Sequence, residues 1–293
     1  MPVTASAPGS ILVTGEHAVV YGHPAIVAAI DQRVTVTVAE IEAPELRVRS
    51  GIADPARYSM DDLPVDGPYR FVAAAVAAFP MTGVEVEVVS EIDPTLGLGS
   101  SAAVTVAALG ALARLSGAEA DLHAVALGIV RGIQGRGSGA DLAASLHGGC
   151  LEYRVDPTVI APLPDPPPLA LRYVGYKTPT GDVLARVAEA RVGREAEFDA
   201  LYAEMGACAA ATIAEARTGW NAGRLLAEYQ GMMARLGVSD DATDGIIAGA
   251  AGTDGLMACK ISGSGLGDCV LAVGAKPEGF VEAPLAAEGL RIE

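Results

Sequence analysis

Apolar and polar residues alternate along two segments in the first half of the chain, Val34–Glu40 (VTVTVAE) and Val84–Ser90 (VEVEVVS). A period of two is typical of a strand that buries one face, so both segments are predicted strands. Cys150–Val155 (CLEYRV), which follows a pair of glycines, is a third. Runs rich in alanine and leucine without this alternation predict helices, and they occupy Gly67–Pro80, Ser100–Ser116 and Ala118–Ile133.

A proline-rich run, Pro157–Pro168 (PTVIAPLPDPPP), separates the two halves of the chain. Proline fixes φ and lacks an amide hydrogen, so this run cannot be the interior of a helix and predicts a stiff connector. We therefore expect two domains, residues 1–156 and 169–293. The elements predicted in the second are a strand at Leu169–Tyr176, helices near Asp182–Val192, Glu195–Arg217, Asn221–Leu236 and Ala242–Ala251, and strands at Met257–Ser262 and Asp268–Gly274.

The charge and cysteine content narrow the class of protein. The 293 residues include 36 acidic and 20 basic ones, a net charge of −16, which argues against a nucleic-acid binder. The four cysteines lack CxxC spacing, so we expect reduced, buried thiols rather than a zinc site or a disulfide framework. No apolar run approaches the roughly 18 residues of a membrane span, and no signal peptide is evident, so we expect a cytoplasmic protein.

The segment Leu96–Val104 (LGLGSSAAV) follows an alternating strand and leads into a predicted helix. Bare glycines and the unpaired N–H groups of a first helical turn form a ready anion site. An ordinary turn in which Ser100 caps the helix fits the same residues. The segment also satisfies GxGxxA, but a helix rather than a second strand is predicted after it, which excludes a dinucleotide fold, and the sequence contains no Walker A motif.

Other glycine-rich segments occur at Gly135–Gly149 (GRGSGADLAASLHGG) and Lys260–Asp268 (KISGSGLGD), and Ala7–Gly22 (APGSILVTGEHAVVYG) contains a Glu-His pair. Asp141 is expected at the start of a short helix. An acid there serves either as a partner of the helix dipole or as a general base for a phosphoryl acceptor. Several such loops, with Ser and Asp at their edges, favour a phosphate site over unrelated turns.

In this order, APGSILVTGEHAVVYG, LGLGSSAA and KISGSGLGDC resemble the three signature motifs of the GHMP kinases, the group of galactokinase, homoserine kinase, mevalonate kinase and phosphomevalonate kinase. GEHAVVYG and SGAD are most similar to the mevalonate kinases. The resemblance covers residues 5 to about 274. It implies an α+β fold of two domains with the active site in the cleft between them, and ATP-dependent phosphorylation of a hydroxyl, with mevalonate, an isoprenoid precursor, as the expected acceptor.

The resemblance also implies roles for individual residues. Asp141 would be the catalytic base or a carboxylate that orients the acceptor. Ser101 would contact Mg²⁺, which together with ATP is an expected cofactor. The residues implied at the ATP phosphates are Gly97, Leu98, Gly99, Ser100, Ser101, Ala102, Gly263, Ser264 and Gly265. Those implied at the acceptor are Ser10, Glu16, His17, His23, Ser138 and Thr178.

Two positions depart from the mevalonate kinase pattern. Ser10 stands where those kinases usually carry a lysine, and Val130 stands where they usually carry a magnesium-binding glutamate, eleven residues before Asp141. Lysines are scarce in this chain. We therefore expect either Lys177, in YKTPTGD, or Arg136 to supply the catalytic positive charge, with an ordinary surface position for Lys177 as the alternative.

Two other functions stay open. One is a kinase of the same fold with a different acceptor, such as phosphomevalonate, a sugar or an amino-alcohol; the scarcity of basic residues near the motifs favours an unphosphorylated acceptor. The other is a nucleotide-binding protein without catalysis, against which the intact Asp141, Ser100 and Ser101 count. The expected partners are a small-molecule alcohol and a second copy of the chain in a homodimer, and neither nucleic acid nor a membrane.

Overall fold

The computed structural model describes residues 1–93 and 96–293. The first half of the chain builds seven of the strands of an eight-stranded sheet, with helices packed on it. Its strands are β1 (Val3–Thr14), β2 (Ala25–Glu40), β3 (Glu45–Ser50), β4 (Ala56–Ser59), β5 (Val84–Ser90), β6 (Cys150–Val155) and β7 (Thr158–Leu163). Its helices are α1 (Arg70–Ala77), α2 (Ser100–Ser116), α3 (Leu122–Gln134) and α4 (Ala140–His147), with a 3₁₀ turn at Ala18–Tyr21.

The second half builds a four-stranded sheet in the order β11-β8-β10-β9. Its elements are β8 (Leu169–Lys177), α5 (Thr180–Arg191), α6 (Glu195–Thr218), α7 (Gly223–Arg235), α8 (Asp241–Ala250), β9 (Ala258–Ser262), β10 (Gly267–Val273) and β11 (Val281–Glu282). The last strand, β12 (Arg291–Ile292), returns to the first sheet and pairs with β1. The mixed α+β architecture expected from the sequence is therefore confirmed.

The long strand β2 shows why its alternating part alone was recognisable. Val34–Glu40 alternates between buried and less buried positions and pairs with β5. The preceding residues, Ala25–Ile30, are buried without alternation because they pair with β1 on one side and β6 on the other and are covered on both faces. A strand buried on both faces has a continuous apolar sequence, which gives no periodic signal.

The proline-rich run is only partly a connector. Thr158–Leu163 forms β7, which pairs antiparallel with β6, so this part is a strand of the first sheet and the expectation of a stiff connector over it was wrong. Among the described residues β7 pairs with β6 alone, and such an edge strand tolerates proline because one row of its amide groups needs no ladder partner. Pro162 lies opposite Leu151 in this ladder.

Small side chains bring α2 close to the first sheet. Its buried face includes Ala103, Ala107 and Ala111, each fully buried, and it packs on β1 and β2. Because α2 is surrounded by protein along most of its length, it lacks the polar stripe of a surface helix. The four cysteines are buried and free, as the sequence indicates. Within residues 1–93 and 96–293, no helix is both long and apolar enough to cross a membrane.

Candidate active site

Ser10 is the residue at which the glycine-rich segments meet. Its amide donates a hydrogen bond to the Leu98 carbonyl (3.1 Å), and its hydroxyl donates to Asp141 Oδ1 (2.8 Å). Glycines make this approach possible, since a Cβ atom at Gly9 would lie 2.6 Å from the Leu98 carbonyl oxygen and one at Gly99 would overlap Ser10 Oγ. Strand β1 therefore locks the loop before α2 against the start of α4.

The N-terminus of α2 opens toward this junction. Gly99, in the left-handed region at φ 68°, is the N-cap, and among the described residues no side chain caps the helix. Ser100 is thus the first helical residue, and the alternative in which it caps α2 was wrong. Helix N-termini carry unpaired N–H groups and about half a positive charge, so this end of α2 can bind an anion.

Asp141 lies in the first turn of α4, behind Gly139 at φ 86°. Burial raises the pKa of this carboxyl, and the hydrogen bond from Ser10 opposes the rise. A carboxylate with a raised pKa is a stronger base than an exposed one. The loop before it is held by Tyr153, whose hydroxyl donates to the Ser138 carbonyl (2.6 Å).

His17 joins the first motif to the loop between β9 and β10. Its ring Nε2 lies 2.9 Å from the Ser264 carbonyl oxygen. Because a carbonyl can only accept, the proton of this imidazole is on Nε2. Burial lowers the pKa of His17, so the ring is neutral at physiological pH and its Nδ1 is an acceptor.

Glu16 forms a buried ion pair with Lys260 on β9. Nζ and Oε1 are 2.5 Å apart, and the two side chains are 0% and 1% exposed. Lys260 Nζ also donates to the Ile261 carbonyl, and Tyr229 donates to the Glu16 carbonyl (2.8 Å). Burial raises the pKa of Glu16, although the Lys260 charge acts against it. The pair fixes the first motif to the second sheet.

Asp268 and Lys177 bring a further charge pair to the site. Lys177 Nζ lies 3.6 Å from Asp268 Oδ1, and the Asp268 side chain is 5% exposed. Burial raises the pKa of Asp268, the Lys177 charge lowers it, and the Asp141 charge raises it. Neither Lys260 nor Asp268 was expected at the site, although they begin and end the segment KISGSGLGD.

These residues surround a polar cavity of about 210 Å³. Of the residues expected at the site, those that line it are Ser10, Glu16, His17, Gly97, Gly99, Ser100, Ser101, Ser138, Asp141, Lys177, Gly263 and Ser264. A larger, more apolar cavity of about 560 Å³ adjoins it and shares Ser100, Ser101 and Lys177 with it. Arg136 lines the larger cavity.

Five expected residues do not line the polar cavity. Leu98 and Ala102 are buried, and Leu98 acts through its carbonyl, which holds Ser10. Gly265 packs on Val238, and the His23 ring packs against Gly206 on α6. The fifth is Thr178, which lies between two cavity-lining positions, Lys177 and Thr180.

The position of Val130 agrees with the loss of a carboxylate there. Its side chain packs near Gly137, where a Cβ atom would lie 2.9 Å from Val130 Cγ1, and it lines neither cavity. Across the part of the chain that the structure describes, no group of three or more His, Cys, Asp or Glu side chains could hold a metal ion by itself.

Comparison with known proteins gives concordant matches. A profile of the GHMP kinases N terminal domain matches residues 68–149. The mevalonate kinase of Archaeoglobus fulgidus is 33% identical and that of Thermococcus gammatolerans 30%, over at least 99% of this chain and 99% of each relative. The crystal structure of the Lin0012 protein from Listeria innocua superposes with a TM-score of 0.87 at 22% identity, covering 100% of this chain and 99% of that one. The chain therefore belongs to the GHMP kinase family and is an ATP-dependent kinase similar to the mevalonate kinases.

Proposed function

We propose that this kinase transfers the γ-phosphoryl group of ATP to a hydroxyl of mevalonate, with Mg²⁺ as cofactor. The observation that carries the proposal is the Ser10–Asp141 hydrogen bond (2.8 Å), which holds a carboxylate beside the open N-terminus of α2. Relatives named mevalonate kinase match almost the full length of the chain, which supports mevalonate over other acceptors.

The two adjoining cavities suit the two substrates. The larger one is lined by apolar side chains such as Ile52, Phe71 and Val88, a surface that suits a nucleotide base. It meets the polar cavity at Ser100 and Ser101, where the N–H groups of α2 face incoming phosphates. We place the base in the larger cavity and the acceptor hydroxyl in the smaller one.

Lys177 is the residue that we propose as the catalytic cation. It lines both cavities, whereas Arg136 lines only the larger one. Its ammonium would neutralise charge on the transferred phosphoryl group, the role that Ser10 cannot take. Since Lys260 is committed to Glu16, a phosphorylated acceptor would lack a further partner among the lysines near the site, which favours an unphosphorylated one.

Asp141 would accept the proton of the acceptor hydroxyl. Its Oδ1 already accepts the Ser10 hydroxyl, so Oδ2 is the oxygen available to the substrate. The neutral His17 would accept a hydrogen bond at Nδ1 from another substrate hydroxyl. Catalysis would otherwise consist of positioning and charge neutralisation, as phosphoryl transfer requires.

The residues present fit a magnesium ion that enters with the nucleotide. Mg²⁺ is usually held by one or two protein oxygens together with phosphates, so the absence of a three-ligand cluster in the described residues is no obstacle. Ser101 lines the polar cavity, and Asp268 Oδ1 is buried without a hydrogen-bond partner among the described residues. When bound, the ion would neutralise charge on the β- and γ-phosphates.

We also propose that residues 1–156 and 169–293 are separate domains with the active site between them. Residues from both sheets line the polar cavity, which supports the division. Since β7 is paired with β6 and β12 with β1, the segments Thr158–Leu163 and Arg291–Ile292 would move with the first domain. The homodimer and the cytoplasmic location stay predictions, and light scattering checks the first.

The test is an ATP-consumption assay with a panel of alcohols that has mevalonate first. We expect turnover with mevalonate, a loss of about 10²–10⁴-fold in Asp141→Asn with nucleotide binding retained, and a loss of about 10²-fold or more in Lys177→Met. Lys276→Met, at an exposed lysine, is the matched control and should keep full turnover. Turnover with another alcohol alone would overturn mevalonate as the acceptor. Wild-type turnover in Asp141→Asn would remove Asp141 from the mechanism.

A further inference from the structure

The carboxylate of Asp268 lies between two of the glycine-rich loops. A Cβ atom at Gly97 would lie 2.6 Å from Asp268 Oδ1, and one at Gly263 would lie 3.4 Å from Oδ2. Asp268 is 4% exposed and takes a left-handed backbone conformation, at φ 61°. At Gly97 and Gly263, backbone without a side chain therefore lies next to this carboxylate.

One oxygen of this carboxylate is without a hydrogen bond. Oδ1 is buried and has no hydrogen-bond partner within the described residues, and the Lys177 ammonium at 3.6 Å is beyond hydrogen-bonding distance. The other oxygen, Oδ2, has a long contact of 3.5 Å with the Ser264 hydroxyl. A buried carboxylate oxygen that is not hydrogen-bonded costs free energy unless a ligand compensates it.

The two carboxylates at the cavity also favour the binding of a cation. Asp141 and Asp268 both line the cavity, and Lys177 lines it with them. A triphosphate placed beside two carboxylates would be repelled unless a divalent ion lay between them. Val130, where the related kinases carry a metal-binding glutamate, lines neither cavity.

Resting on the kinase function proposed above, we propose that Asp268 supplies the carboxylate ligand of the nucleotide-bound Mg²⁺, in place of the glutamate absent at Val130. The metal-binding carboxylate thus lies at the start of β10 rather than on α3, while Ser101 lies in the first turn of α2. Mg²⁺ takes oxygen ligands and needs few from protein when phosphates supply the others. Lys177 then acts on phosphate rather than as the permanent partner of Asp268.

The test measures metal binding directly. Mn²⁺ is titrated into the wild-type protein saturated with a non-hydrolysable ATP analogue, AMPPNP, and free Mn²⁺ is followed by electron paramagnetic resonance. We expect Asp268→Asn and Asp268→Gly to weaken Mn²⁺ binding by about tenfold or more. Both replacements tolerate a positive φ, and thermal melting confirms that each is folded. Metal-free AMPPNP should bind these variants no more weakly than the wild type, since a negative charge has been removed.

Two further variants separate metal ligation from other roles. Asp182→Asn removes an exposed carboxylate in the first turn of α5 and should leave Mn²⁺ affinity unchanged. If Asp268 only oriented Lys177, then Lys177→Met would change turnover and Asp268→Asn would bind Mn²⁺ as tightly as the wild type, which would overturn the inference. If the wild type itself bound no AMPPNP with Mn²⁺, the kinase proposal would fail. Turnover with mevalonate and full Mn²⁺ affinity in both Asp268 variants would reject only the metal ligand.

Discussion

Replacing Lys260 by methionine tests the buried ion pair that joins the first motif to the second sheet. Lys260 Nζ is 2.5 Å from Glu16 Oε1, and neither side chain is more than 1% exposed. The second carboxylate oxygen, Oε2, has no hydrogen-bond partner in the described part of the chain, so Lys260 supplies the main compensation for this charge. Removing one partner of a buried pair leaves an uncompensated ion and costs about 3–5 kcal/mol.

A loss of unfolding free energy of this size can be measured as a shift of the urea midpoint. With an m value of about 3 kcal/mol/M, a loss of about 3–5 kcal/mol lowers the urea midpoint of Lys260→Met by about 1–1.7 M. The double variant Glu16→Gln with Lys260→Met removes both charges. It should recover most of the loss, because replacing a whole buried pair by neutral groups is close to neutral in free energy.

The stability loss of Lys260→Met should also depend on pH. Burial raises the pKa of Glu16 and Lys260 lowers it, so the pKa rises further in Lys260→Met. A folded-state pKa above the unfolded value means that the folded state binds the proton more tightly. Stability then falls as the pH rises from the unfolded pKa to the folded one. The deficit of Lys260→Met should therefore shrink on acidification toward the unfolded glutamate pKa of about 4.3.

Circular dichroism during urea titration, at neutral and at acidic pH, checks these expectations. Lys276→Met, at an exposed lysine, is the matched control and should change stability by no more than about 0.5 kcal/mol. A Lys260→Met variant as stable as the wild type at neutral pH would refute the reasoning. So would a double variant that loses the sum of the two single losses, since no coupling between the charges would then exist.

Variants of Gly99 and Ser10 test the contact between β1 and the loop before α2. Gly99→Ala and Gly117→Ala place a Cβ at similar positive φ values (68° and 70°) at the two ends of α2, but only Gly99 has Ser10 Oγ in the way. We expect Gly117→Ala to lose about 1–2 kcal/mol of unfolding free energy and Gly99→Ala to lose more. Gly99→Ala should also lose nucleotide affinity, measured by fluorescence titration. Equal losses in the two variants would contradict the close packing of Gly99 on Ser10. Ser10→Ala removes the hydrogen bond that lowers the pKa of Asp141, so the acid limb of the kcat profile should move to higher pH. Ser145→Ala, which loses a buried hydrogen bond to the Pro8 carbonyl, should leave that limb in place.

The local hydrophobic pattern was sufficient to predict the ends of a helix or strand where the surroundings of the segment were uniform along its length. Val84–Ser90, Ser100–Ser116 and Cys150–Val155 begin and end where the sequence predicts. The pattern was insufficient where the contacts of a segment changed along its length. Ala118–Ile133 was expected to be helical, but the helix begins later, at Leu122, because Asp121 accepts a hydrogen bond from the Ala124 amide and caps it. The short strands β4, β11 and β12 carry too few residues to show a period.

The sequence by itself determined the glycine-rich loops, the helix that presents Asp141 and the glycine-flanked N-terminus of α2, because these depend on residues adjacent in the chain. Only the tertiary structure decided which side chains act together. Ser10 and Asp141 are 131 positions apart, and Glu16 and Lys260 are 244 apart. Such contacts arise from the packing of two sheets and the space left by glycine, which no local periodicity encodes. The pairing of Lys177 with Asp268, which line the same polar cavity as Ser10, is of the same kind.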